Sequence, residues 1–300
     1  MDLSIISVSY NTKEFLKKLL VSIEENISSK VSYEVIVVDN ASTDGSPSAI
    51  SNLKSQMSKL KIILNKENYG FSKANNQGVK KTAKSRYVLF LNPDTLLEKG
   101  TIEKMIEFMD ENRGAGASTC KVVMSNGQID DATHRGFPTP WNSFTHFSGI
   151  SKLMPKSTFL NGYYLGWKNI DKVHEIDALA GAFMLVRREA GEEVGWWDED
   201  YFFYGEDIDF CFMLKQKGWK IYYVPTASIF HHKGASSGIK KISKETSTAT
   251  RETKIRITKS RFNAMKIFYK KHYARKYPKF LTKLVTLGIN AKLWYSLKRI

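Results

Sequence analysis

The sequence predicts an α/β fold: a mostly parallel, Rossmann-like central sheet with helices on its faces. Three observations carry this. Short apolar runs bounded by turn residues alternate with segments whose apolar residues recur every three or four positions, the signature of successive βαβ units. The runs lack polar alternation, as strands buried on both faces do. Four successive runs end in polar turns, and parallel strands bring such ends to one sheet edge, where open α/β sheets hold ligands.

The elements follow in order. Leu3–Ser9 reads as the first strand, and Tyr10-Asn11-Thr12 as a turn with an N-cap candidate. Phe15, Leu16, Leu19, Leu20 and Ile23 then recur at helical spacing. Tyr33–Val38 is the second strand. It ends in the turn cluster Asp39-Asn40-Ala41-Ser42-Thr43-Asp44-Gly45-Ser46, and a helix follows. Lys61–Leu64 is the third, ending in Asn65 to Phe71, with a helix from about Ser72 to Ala83. The fourth runs through Val88, Leu89, Phe90 and Leu91, breaks at Asn92-Pro93 and delivers Asp94. Pro93 cannot donate to a sheet ladder, so the strand ends there. Ile102, Met105, Ile106 and Met109 mark one face of the next helix.

The alternation loosens after Gly114. Ala117–Met124 reads as a strand before an Asn126-Gly127 hairpin turn. Residues 131 to 172 show no clear period and are rich in aromatic residues, Gly and Pro, the mark of a stretch that is functional or mobile. Ile176–Val186 is apolar again, and Arg187–Val194 is a short helix stopped by Gly195. A helix from Asp209 to Lys217 ends at Gly218. Strands at Lys220–Val224 and Ser228–His232 close the core.

Three hundred residues are enough to bury a substantial core. The net charge is +16, but it is unevenly placed. Residues 238–300 hold 18 of the 46 Lys and Arg and 2 of the 30 acids, leaving 28 of each sign before Gly238. The chain therefore reads as a neutral domain with a basic appendage rather than as a nucleic-acid binder. Cys120 and Cys211 form no metal-ligand spacing and no disulfide framework, which fits a reducing compartment. The chain opens directly on a strand-like run rather than a secretory signal, and no apolar run approaches a membrane span. The expected location is cytoplasmic.

Several residues stand out as chemistry. Asp39 can accept from a nucleobase N–H or a ribose hydroxyl. Asp94, at the end of a buried strand, is either a metal anchor or a cap for the helix that follows. With neither Gly-x-Gly-x-x-Gly nor a Walker lysine, a diphosphate at this edge needs another counter-charge, and a divalent cation, Mg²⁺ or Mn²⁺, suits the carboxylate. Gly205-Glu206-Asp207-Ile208-Asp209 gathers three acids at a helix start beside Trp196, Trp197, Tyr201, Phe202, Phe203 and Tyr204. The aromatic wall raises a carboxyl's pKa and the helix dipole lowers it. His231-His232 ends a core strand. Neighbouring strand residues face opposite ways, so one of them, expected to be His231, reaches the metal.

These segments resemble family-2 glycosyltransferases of the GT-A fold, in particular the rhamnosyltransferase-like branch. The matching stretches are Ile6 to Asn11, Val35 to Ser46, Asn68 to Gly78, Leu89 to Asp94, Gly181 to Arg188, Phe203 to Asp209 and His231 to Ser236. They cover residues 3 to 237 except about 125 to 172. The resemblance implies an inverting enzyme with a nucleotide-sugar donor, dTDP-rhamnose or a UDP-sugar. Its acceptor would be a glycan or lipid-linked hydroxyl in cell-envelope polysaccharide synthesis. Tyr10 and Asp39 would contact the base and ribose, with Asn11 also on the donor side. Asn68, Gly70, Phe71 and Asn75 or Asn76 would line the donor pocket. Asn92-Pro93-Asp94 stands where the family usually has Asp-x-Asp, so Asp94 would hold the metal with His231, one charge short. Asp207, or Glu206 beside it, would be the catalytic base. Trp197, Tyr204, Gly181 and Ala182 would meet the acceptor.

The expected organisation is a catalytic domain over 1–237, with a donor half to about 124 and an acceptor half from about 125, and a basic helical extension over 238–300. In the extension, Phe262, Met265, Phe268, Tyr269 and Tyr273, and later Leu284, Leu287, Trp294 and Leu297, recur among lysines. Such helices either pack on the domain or lie on an anionic membrane surface, and the second reading would make the enzyme peripheral on the inner membrane. Two rival functions are a nucleotidyltransferase, which usually carries a Gly-rich phosphate loop that Tyr10-Asn11-Thr12 is not, and a nucleic-acid-binding module, which leaves the strand-end acids without a role.

Overall fold

The structure, a computed structural model, describes residues 1–55, 57–232 and 250–300. The expected boundary at 237/238 and the motif residues Lys233 to Ser236 lie outside that set.

The amino-terminal strands form as their composition dictates. β1 (Leu3–Ser9), β2 (Tyr33–Asp39), β3 (Leu60–Leu64) and β4 (Tyr87–Leu91) pair in parallel in the order β3-β2-β1-β4. Every residue of β2 and β4 is buried, which explains their unbroken apolar runs. The crossovers are the helices α1 (Lys13–Asn26), α2 (Ser46–Lys54) and α3 (Phe71–Lys81). α1, α2 and α4 (Thr101–Glu111) cover one face, packing Leu16, Ile50 and Met105 against Ile5, Val35 and Leu89. α3 covers the other, with Ala74 against Ile6, Ile36 and Phe90.

Beyond β4 the sheet is mixed rather than parallel. β8 (Phe183–Arg187) runs antiparallel to both β4 and β6 (Ala115–Met124), and β6 pairs in parallel with β9 (Lys220–His231). β5 (Thr95–Leu97) and β7 (His174–Ile176) pair antiparallel with β9. The two expected terminal strands are one strand. The ladder passes from Val224 opposite Cys120 to Ser228 opposite Lys121, so the bulge falls where Pro225 lacks a donor.

α6 (Arg188–Val194) and α7 (Glu206–Gln216) pack on the α3 side through Ala190, Phe210 and Leu214. α7 begins three residues earlier than its spacing suggested, so its acids form the first turn. The aperiodic stretch contains α5 (Pro140–Ser148), capped by the Thr139 hydroxyl. Its aromatic residues are mostly exposed, so no buried stripe betrays it.

The last two helices behave differently. α8 (Arg251–His272) is packed: Phe262, Phe268 and Tyr269 are buried, the last two with Tyr201, Phe212 and Tyr273 in a third apolar cluster. α9 (Lys279–Leu297) buries none of its residues. The packing reading therefore describes α8. Among the described residues no helix is long and apolar enough to cross a membrane, and both cysteines are free and buried.

Candidate active site

The carboxyl ends of β1 and β4, the Asn68–Phe71 turn, the α7 amino terminus and α8 enclose a cleft of about 340 Å³. Tyr10, Asn68, Gly70, Phe71, Asn92, Asp94, Gly181, Ala182, Tyr204, Glu206, Asp207 and His231 all line it.

Strand register builds the metal-side pair. The chain turns through Asn92-Pro93-Asp94 straight into β5, and β5 places Thr95 opposite His231 of β9. Asp94 thus meets the imidazole, with its Oδ1 3.2 Å from His231 Nε2, while His231 Nδ1 lies 3.8 Å from Asp130 Oδ2. All three side chains are buried. Burial disfavours the imidazolium, but the Asp130 and Asp94 carboxylates on either side outweigh it and raise the pKa to about 9. His232 faces the other way, its ring 5.5 Å from Phe15. A divalent cation here would have to displace the imidazole proton before His231 could serve as a ligand. Among the described residues no three such side chains converge as a complete cage. A cation here would be held by Asp94 and His231 and would need further oxygens from a substrate.

The second pair sits on α7. Gly205 caps it with φ +85°, and a Cβ there would stand 3.0 Å from Ala264 of α8, so glycine serves both the turn and the helix contact. Asp207 Oδ2 accepts from Arg135 Nη2 at 2.8 Å, and Arg135 also donates to Leu179 O at 3.1 Å. Glu206 is buried beside it. Burial, then the Asp207 charge, push its pKa up to about 8. The two acids therefore differ: burial favours the protonated form of Glu206, and Asp207 lines the cleft with its carboxyl paired to an arginine.

The third acid is structural. Asp209 Oδ1 accepts from the Tyr201 hydroxyl at 3.2 Å and meets His272 Nε2 at 2.5 Å, while Oδ2 accepts from Lys271 Nζ at 2.8 Å. Lys271 also donates to Asp198 at 2.6 Å. The end of α8 is thereby locked to both flanks of the Glu206-Asp207 turn.

Some expected site residues have other employment. Asp39 is buried, and both its carboxylate oxygens take Ser42, from the backbone N–H at 2.8 Å and the hydroxyl at 2.6 Å. Asn11 accepts from Thr43 N at 2.8 Å, so both residues shape the adjoining turns beneath the cleft rim rather than lining it. Asn75 turns back on its helix to donate to Phe71 O. Asn76 reaches out to Trp197, donating to its carbonyl at 2.9 Å and accepting from its N–H at 3.1 Å. Neither asparagine lines the cleft. Trp197 is corrected from an acceptor contact to a core residue: its ring stacks on Phe210 at 5.0 Å and meets Phe90 edge-on at 4.8 Å.

Other cleft residues were missed from sequence. Asp130 and Arg135 lie where the family resemblance lapses, next to the Asn126-Gly127 turn. Thr253, Arg256 and Ser260 of α8 form a wall, with Ser260 donating to Phe203 O at 2.9 Å and the Arg256 guanidinium 5.8 Å from the Phe202 ring centroid. The only signal for them was that apolar residues in α8 recur at helical spacing, which the charge obscured.

The mixed sheet with a cleft at its strand ends has the GT-A fold. The chain belongs to glycosyl transferase family 2, whose family model matches residues 4–195. It is similar to the rhamnosyltransferase WbbL of Escherichia coli (strain K12), 29% identical over 237 residues, covering 76% of this chain and 82% of the relative. It is also similar to the N-acetylglucosaminyl-diphospho-decaprenol L-rhamnosyltransferase of Mycobacterium tuberculosis (strain ATCC 25618 / H37Rv), 25% identical over 256 residues, 79% of this chain and 78% of that one. Among solved structures the fold is shared with the mannosyltransferase PcManGT from Pyrobaculum calidifontis in complex with GDP-Man and Mn²⁺, at TM-score 0.58 and 18% identity, over 99% of this chain and 72% of that one. The chain is thus a family-2 glycosyltransferase similar to rhamnosyltransferases. The nucleotidyltransferase and nucleic-acid readings are not favoured.

Proposed function

We propose that the enzyme transfers rhamnose from a dTDP donor, with inversion, to a hydroxyl of a lipid-linked glycan in cell-envelope polysaccharide synthesis. A UDP-sugar is the second donor to test. The observation that carries this reading is the single cleft that joins Asp94 and His231 to Glu206 and Asp207. The relatives' names support the sugar and, for the mycobacterial enzyme, an acceptor on a decaprenol diphosphate.

In this mechanism Tyr10, Asn68 and Gly70 border the nucleotide, and Asp94 with His231 would hold the divalent cation, Mg²⁺ or Mn²⁺. When bound, that cation supplies Lewis-acid stabilisation to the leaving diphosphate. Asp207 takes the proton from the acceptor hydroxyl as it attacks the anomeric carbon from the opposite side. Arg135 fixes the carboxylate's direction. Glu206, protonated at neutral pH, lends its hydrogen-bonding proton rather than acting as base. Such an enzyme works from the cytoplasmic face of the membrane, where the acceptor presents its headgroup.

The test is a panel of nucleotide sugars, each scored for thermal stabilisation with and without Mn²⁺ and for transfer to a prenyl-diphosphate-linked acceptor. dTDP-rhamnose is expected to give the largest metal-dependent shift. No stabilisation by any nucleotide sugar, and no transfer, would sink the reading.

A further inference from the structure

We propose that α5 with the residues that follow it to Phe159, together with α9, forms one surface that docks on an anionic lipid bilayer. The proposal rests on the lipid-linked acceptor read above and goes beyond it, because it assigns a surface assembled from two segments far apart in the chain.

Four observations converge. First, Phe144, Leu153 and Phe159 from one segment and Leu284, Leu287 and Trp294 from the other are all large and apolar, and each keeps between 55% and 79% of its surface exposed. Such side chains are hard to leave in water without a partner. Second, the segments touch. The Lys292 ammonium of α9 lies 5.7 Å from the Phe147 ring centroid of α5. Third, both are free of acids. Residues 132–170 contain four Lys and Arg and no Asp or Glu, and residues 273–300 contain seven and none. Fourth, cations stand over the aromatic rings at the carboxyl terminus: Lys298 Nζ is 3.7 Å from the Trp294 centroid and the Arg299 guanidinium 5.2 Å from that of Tyr295. Aromatic rings with neighbouring cations suit the headgroup level of a bilayer.

These features select the occupant. A second copy would bring two acid-free cationic faces together, which like-charge repulsion opposes. An anionic bilayer satisfies both the apolar side chains and the cations around them. With no helix among the described residues able to span, the surface lies on the membrane rather than in it.

The placement also has a use. Arg135, which holds Asp207, opens the same acid-free segment, and Gly136 N donates to Tyr163 O at 2.9 Å within it. Docking by α5 therefore brings the acceptor side of the cleft to the lipid surface, where a prenyl-linked acceptor keeps its diphosphate.

The experiment is vesicle co-sedimentation of the full chain with phosphatidylcholine alone and with phosphatidylcholine containing phosphatidylglycerol. Two triple variants are compared: F144S/L153S/F159S and L284S/L287S/W294S. All six residues are exposed, and near-ultraviolet circular dichroism checks the fold. Binding at least about tenfold tighter to the anionic vesicles is expected, with each triple variant losing about tenfold or more. Lys152→Glu with Lys156→Glu gives a charge arm that leaves the apolar residues in place and is expected to weaken anionic binding alone. Equal partition into both vesicle types, or loss confined to the α9 variant, would overturn the proposal. So would concentration-dependent self-association, removed by the same substitutions, with no vesicle binding. Nucleoside-diphosphate binding measured without lipid reports separately on the proposed function and is expected to be unchanged in every variant.

Discussion

The Arg135 guanidinium lies 2.8 Å from the Asp207 carboxylate, joining an irregular segment to the first turn of α7 across 72 residues of sequence. The carboxylate proposed as the base is held in a fixed direction beside a permanent positive charge. Asp207→Asn is expected to cut transfer by about 10²- to 10⁴-fold and leave nucleotide affinity within about twofold. Arg135→Lys keeps the charge without the fork and is expected to lose part of the rate. Steady-state kinetics with nucleotide-binding isotherms check both. Near-normal transfer by the Asn variant would move the base elsewhere.

Glu206 makes stability depend on pH. Its folded-state pKa, about 8, stands above the ordinary 4.5, so the folded protein holds a proton that the unfolded chain releases. The stabilisation is complete below about pH 4.5 and is lost as pH rises through 8, with a slope of up to about 1.4 kcal/mol per pH unit. Glu206→Gln should flatten this fall. Thermal unfolding of both proteins from pH 5 to pH 8.5 measures it, and parallel curves would refute the assignment.

Two protein ligands make a poor metal site on their own. Mn²⁺ should bind weakly to the free enzyme and more tightly once a nucleoside diphosphate adds its oxygens. Asp94→Ala should abolish the nucleotide-linked component. Titration calorimetry with and without nucleotide distinguishes this from a preformed site, which would bind Mn²⁺ equally well in both.

Gly70 has φ +86°, and a Cβ there would lie 2.6 Å from the carbonyl oxygen of Phe202, which already accepts from Phe71 N. Gly70→Ala is expected to cost about 1–3 kcal/mol and to weaken nucleotide binding, because the clash is with backbone at the donor rim. Urea denaturation and a nucleotide titration read the two effects.

His272→Ala leaves the buried Asp209 carboxylate short of a partner. A loss of about 3 kcal/mol is expected, with a smaller one for Lys271→Ala, whose side chain is a third exposed. Denaturation midpoints of the two variants give the ranking.

The strands, their order of appearance and the acids at their ends were legible because each is written locally. An unbroken apolar run such as Tyr87–Leu91 has few alternatives to a doubly buried strand, and a proline after it marks its end. The antiparallel entry of β8 and the continuity of β9 were not legible, since nothing local to Phe183–Arg187 encodes its partners. Arg135 escaped for the same reason: its meaning is the carboxylate it meets far along the chain. Trp197 was misread because an aromatic residue beside catalytic acids looks the same in sequence whether it faces a sugar or a phenylalanine. α8 looked like an appendage because its lysines and arginines outnumber the few apolar residues that seat it.

The lock between Asp209 and the end of α8 bears on how the enzyme is made. Translation delivers the whole sheet by His231, but the imidazole and ammonium that hold Asp209 arrive only with residues 271 and 272. A nascent chain can fold the sheet early and still lack an ordered acid turn until residue 272 has been made. A chain cut before residue 271 would therefore carry the sheet and its cleft while the turn that bears the proposed base lacked its lock to α8.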